Sequence, residues 1–176
     1  MSNDTSPEKY AVLQQDDEKV LEALQAILTE RIAGDPYSPD GSFAHQLASL
    51  PLGLRAMAAT HWLDISLTLD SITWHFGNFG ERGLVAATEA GLIELGLTDL
   101  AVCFREAREV VLPLLAERTD EDKDLYDYYA LKGCASIIEH LDNKAWGLKD
   151  TSDGESAIYD AWVRYARQHP ERIFTN

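Results

Sequence analysis

From Pro51 to Phe76 the chain sets Trp62, Ile65, Leu69, Ile72 and Phe76 at spacings of three and four, and Leu63, Leu67 and Trp74 widen the same stripe. Such spacing gathers apolar side chains on one broad face of an α-helix, a face that neighbours must cover on several sides. No stretch shows the strict apolar–polar alternation of a half-buried strand. Helical spacing recurs instead, through Val20, Leu24 and Leu28 to Gly34, over 83–95 to Gly96, and through Leu100, Phe104 and Val111, with a kink expected at Pro113. A helix start is expected at Ser6-Pro7-Glu8, a short helix from Ser42 to about Leu50, and another helical region over 120–146 that breaks near Gly133. A last helix carries Ile158, Trp162 and Tyr165 before Pro170. The pattern predicts an all-α fold, a single compact helical domain of about six to eight helices around a central apolar helix. That domain is expected over residues 7–176, after a disordered tail at 1–6. With 176 residues, 45% of them hydrophobic, the chain is long enough to bury roughly two thirds of its surface.

Charge narrows the function classes. Thirty acidic residues against fifteen basic ones leave a formal net charge of −15, which repels nucleic acid and anionic membranes and attracts basic partners. The opening MSNDTSPEKY lacks a basic segment followed by an apolar run, and no apolar stretch is long enough to span a bilayer, so a cytoplasmic location is expected. Cys103 and Cys134 stand in apolar helical contexts and are expected to be free thiols.

Catalytic signatures are missing. There is no Gly-x-Ser-x-Gly turn, glycine-rich phosphate loop, Cys-x-x-Cys or His-Glu-x-x-His. The reading is therefore a protein that is not an enzyme, with no catalytic residues, no metal and no cofactor. One polar stripe stands apart: His61, Asp64, Thr68, Ser71 and His75 also fall at helical spacing, on another side of the central segment. It reads either as the lining of a pocket for a ligand, sensor or small-molecule enzyme, or as a hydrogen-bonded polar face. Metal is disfavoured, because bundle metal centres need several carboxylates and Glu-x-x-His on facing helices.

The acids are unevenly spread. Residues 4–40 hold nine acids and three bases, 117–160 hold twelve and five, and 41–104 hold only six and two. The densest points are Asp16, Asp17 and Glu18, and Asp120, Glu121 and Asp122 with Asp124 and Asp127. Carboxylates three or four residues apart on a helix stand roughly 5–6 Å from one another, a pitch on which a row of acids can stand in for phosphates. A solvated face on an acidic protein is the alternative.

Three stretches together resemble the bacterial DNA-mimic protein family of acidic, all-helical proteins. They are Leu50-Pro51 leading to Trp62-Leu63-Asp64, then Phe76-Gly77-Asn78-Phe79-Gly80 followed by Ala86–Ala90 and Leu95-Gly96, and finally Tyr165 to Phe174 with its His169-Pro170-Glu171. The family's polar run after the Leu-Asp pair is replaced here by Ser66-Leu67-Thr68-Leu69-Asp70-Ser71-Ile72-Thr73-Trp74. The resemblance implies an acidic interaction protein, as a homodimer, that occupies the basic DNA-binding surface of a partner such as a DNA-binding regulator. An immunity-like or regulatory binding module without DNA mimicry is the second reading.

Overall fold

In the computed structural model the described residues are 10–119 and 124–174. The helix start expected at Ser6 and the tail at 1–6 lie outside them. Among the described residues nine α-helices follow one another without a named strand: α1 (Asp17–Arg31), α2 (Ser42–Ala48), α3 (Leu52–Leu69), α4 (Ile72–Phe79), α5 (Arg82–Glu94), α6 (Thr98–Ala116), α7 (Leu125–Leu131), α8 (Ala135–Trp146) and α9 (Ala157–Gln168). Single 3-10 turns precede α1 and follow α9. The all-α reading holds. None of these helices is long and apolar enough to cross a membrane.

Helix α3 sits at the centre because both its large and its small residues serve contacts. Leu54, Met57, Leu63 and Leu67 are buried, while Ala56, Ala59 and Thr60 let neighbouring backbones approach. Its most extensive partner is α5. Gly91 on α5 lies so close to α3 that a Cβ there would stand 2.9 Å from the Ala56 carbonyl oxygen. Helix α9 covers another side, where buried Trp162 donates its indole N–H to Thr60 Oγ1 at 3.0 Å. Helix α1 packs on α9, and α4, α6 and α8 form the opposite layer.

One sequence expectation is corrected. The helix drawn from Pro51 to Phe76 is two helices, divided at Asp70-Ser71, where Asp70 leaves helical geometry. Ser71 caps α4 by accepting the Trp74 N–H at 3.0 Å. The buried carboxylate of Asp142 on α8 accepts the Thr73 N–H at 3.1 Å and the Thr73 hydroxyl at 2.8 Å. Tyr126 of α7 donates its hydroxyl to Asp70 Oδ1 at 2.7 Å. Short polar side chains that satisfy backbone groups compete with continued helix, and here two other helices reinforce the competition. The break changes which residues are core: Ile72 is fully buried, but Leu69, at the exposed end of α3, is 72% exposed.

Gly133, at φ +70°, ends α7 and gives the break expected within 120–146. Cys103 is buried and Cys134 half-buried, and both are free. Burial pushes the Cys103 thiol up to about 11.

Candidate interaction surface

The first acidic block opens α1. Asp16 is its N-cap, accepting the Lys19 N–H at 3.0 Å, and the Lys19 ammonium at 2.9 Å from the same carboxylate holds Asp16 below the usual range. Asp17 pairs with Arg167 of α9 at 2.6 Å. Part of this block therefore has a folding role: a cap, a favourable helix-dipole position and a tie between two helices. Glu18 forms no ion pair with a described residue.

Packing of α1 on α9 brings a second set of acids beside the first. Glu155 precedes α9 and Asp160 lies in its first turn, and with Asp17 and Glu18 they wall a groove whose floor is Leu21, Tyr159 and Val163. Its volume is about 540 Å³. Asp160 is paired with Arg164 at 2.6 Å, whereas Glu155, like Glu18, forms no ion pair with a described residue. Glu155 and Asp160 are two of the twelve acids of 117–160, and no local run sets them apart in the sequence. Only the α1–α9 contact joins them to residues some 140 positions away.

The second block stands elsewhere. Asp124 caps α7 by accepting the Tyr126 N–H at 2.8 Å, Asp127 is exposed in the first turn, and α7 rests on α8 rather than on the α1–α9 pair. Asp120, Glu121 and Asp122 lie outside the described residues.

The polar stripe His61, Asp64, Thr68, Ser71 and His75 is not one surface. The faces of α3 and the division at Asp70 distribute it over four environments, with Thr68 exposed on α3. His61 and Asp64 face α9: His61 Nδ1 lies 3.0 Å from the Tyr159 hydroxyl, and Ser156 donates a short hydrogen bond to Asp64. Burial lowers the basicity of His61 and raises the pKa of Asp64. His75 turns into the core beside Phe76, Phe79 and Phe104, 2.9 Å from Ser66 Oγ, and burial pushes it down to about 3. Its Nε2 is sealed without a partner. Ser71 joins Tyr126 at 2.6 Å in the cluster that fixes the α3–α4 break. Among the described residues no three His, Cys, Asp or Glu side chains are grouped to hold a metal ion.

These features define an acidic, all-helical protein whose exposed carboxylates gather over an apolar-floored groove. The family model described as DMP19-like protein matches residues 48–169, more than half of the chain, and the chain belongs to that family. The match runs from just before α3 through α9 and stops short of the Pro170–Phe174 ending. No curated protein and no solved structure matches the chain.

Proposed function

We propose that this chain is a non-catalytic acidic interaction protein that occupies the basic DNA-binding surface of a partner, its carboxylates taking the place of phosphates. The observation that carries this reading is the convergence of Asp17, Glu18, Glu155 and Asp160 on one groove of a protein with net charge −15. Membership of the DNA-mimic family supports it. Like-charged groups repel one another when packed together, so gathering Asp17, Glu18, Glu155 and Asp160 on one groove opposes folding more than scattered acids would. Against a basic surface the same repulsion is relieved, and release of the partner's bound anions adds affinity that salt removes. The reading places the protein in the cytoplasm, as a homodimer that sets two such arrays side by side.

The test starts from a partner retained by the immobilised protein at low salt. Duplex DNA is expected to displace it, and Glu18→Gln with Glu155→Gln is expected to weaken binding and flatten its salt dependence. Asp120, Glu121, Asp122, Asp124 and Asp127 changed to Asn and Gln form a second arm for the other acidic block. A partner that DNA cannot displace, bound with the same salt slope by both variants, refutes mimicry and leaves the regulatory-module reading. Sedimentation velocity decides the assembly state.

A further inference from the structure

Three large apolar side chains gather on the surface around Asp70. Leu69 precedes it and is 72% exposed, Trp146 is 42% exposed and Tyr126 is 38% exposed. Trp146 donates its indole N–H to the Asp70 carbonyl at 2.7 Å, and Tyr126 donates its hydroxyl to the Asp70 carboxylate at 2.7 Å. Apolar residues scattered singly over a surface are ordinary, but these come from α3, α7 and α8 to one place.

Their orientation is the reverse of what water selects. An amphipathic ring at a surface usually turns its polar end outward and its apolar body inward. Here both polar ends are taken up by the protein, on Asp70 and, for Tyr126, also on Ser71 at 2.6 Å, while part of each ring meets solvent. Those bonds help to close the α3–α4 break, so the fold accounts for two of the three residues. Leu69 has no such task. The same bonds hold both rings in place, so a partner that covers them loses little side-chain freedom. Tryptophan and tyrosine are also the side chains that most often anchor interfaces.

The rim of the patch is negative. Asp127 is exposed beside Tyr126 on α7, and Glu139 is exposed on the stripe of α8 that leads through Asp142 to Trp146. Neither forms an ion pair with a described residue, and nor does Asp70. The lysines of the two helices are engaged elsewhere: Lys132, at the end of α7, pairs with Glu117 at 3.1 Å, and Lys144 of α8 pairs with Glu106. Both of those glutamates belong to α6 or its end. A second copy of the chain would set carboxylates against carboxylates here, and an anionic membrane would be repelled.

We propose that this patch is a docking surface for a short segment of a basic protein. The segment sets a bulky apolar side chain on Leu69, Tyr126 and Trp146, and flanks it with lysine or arginine facing Asp70, Asp127 and Glu139. The surface is separate from the α1–α9 groove and does not depend on imitation of DNA, which has no such side chain to offer.

The probe is a synthetic peptide with one phenylalanine between two Lys-Arg pairs, and its control carries serine in place of phenylalanine. In nitrogen-15 spectra the parent peptide is expected to shift the Trp146 indole signal and the amides of Leu69 and Asp127. The control should bind about tenfold more weakly, since it leaves the apolar patch wet. Leu69→Asn changes a side chain that is mostly in water, so the fold should persist while the parent peptide weakens by a similar factor. Asp127→Asn with Glu139→Gln should flatten the salt dependence. The Glu18→Gln, Glu155→Gln protein, which probes mimicry at the groove, is expected to bind the peptide as wild type does, so the two readings fail separately. The proposal is overturned by an absence of shifts at these residues up to about 1 mM peptide, by equal binding of peptide and control, or by undiminished binding to folded Leu69→Asn. It is also overturned if the Leu69 and Trp146 signals move with protein concentration before any peptide is added, which would make the patch a contact between copies of the chain.

Discussion

Replacing Ile72 by alanine removes a fully buried branched side chain from the start of α4, whereas replacing Leu69 trims one that is mostly in water. The first change is expected to cost about 2–5 kcal/mol and the second close to nothing, as read from urea unfolding. Equal losses would mean that α3 and α4 are continuous. A second residue-scale expectation concerns His75. Its folded pKa, about 3, lies below the unfolded value near 6.5, so the unfolded chain gains a proton first as pH falls. Stability from this group is complete above about pH 6.5 and declines by about 1.4 kcal/mol per unit on the way to pH 3. Asp64 and Asp142, both raised by burial, act in the opposite sense, since their protonation favours the fold as pH drops. His75→Phe should therefore reduce the acid lability, or reverse it, in unfolding curves taken between pH 4 and 7. An unchanged slope in that variant would place the acid lability in other groups.

Helices are where the sequence was most readable and where it misled once. Periodicity marked the core of α1, α5, α6 and α9, and glycine marked the ends of α5 and α7. The α3–α4 break escaped because apolar spacing continues through it, and Ser71 is a common residue without its partners. Ser71 takes its partner Tyr126 from 55 residues further along the chain, and Thr73 beside it takes Asp142 from 69. Local pattern cannot register a cap completed from such a distance. Asp142→Ala should destabilise the protein by roughly 1–3 kcal/mol, since the buried Thr73 N–H loses its acceptor, and Asp142→Asn by less, because an amide oxygen still accepts. Thermal melts, with hydrogen exchange at Thr73, distinguish the two; equal effects would show that the bond is not what holds α4. The candidate surface was legible to the same extent. Asp16, Asp17 and Glu18 stood out as a run, but Glu155 and Asp160 acquire meaning only from the docking of α1 on α9.

At the scale of the whole molecule, the charge of −15 is a load that the fold carries. Raising salt from about 10 to 150 mM shortens the screening length from roughly 30 to 8 Å. Wild-type Tm is expected to rise over that interval, and to rise less in the Glu18→Gln, Glu155→Gln protein, where two unpaired charges are gone. A Tm insensitive to salt would mean that the carboxylates are already compensated. The boundary of the family match bears on how such a surface diversifies. The shared segment starts at residue 48, so Glu155 and Asp160 belong to it, while Asp17, Glu18 and Leu21 on α1 lie outside. One wall of the groove thus stands on the segment that matches the family, and the other on a helix whose outward side contributes nothing to the packing of α3 on α5. Substitutions on that outward side can therefore redraw one wall of the groove while leaving the interior that makes the fold untouched.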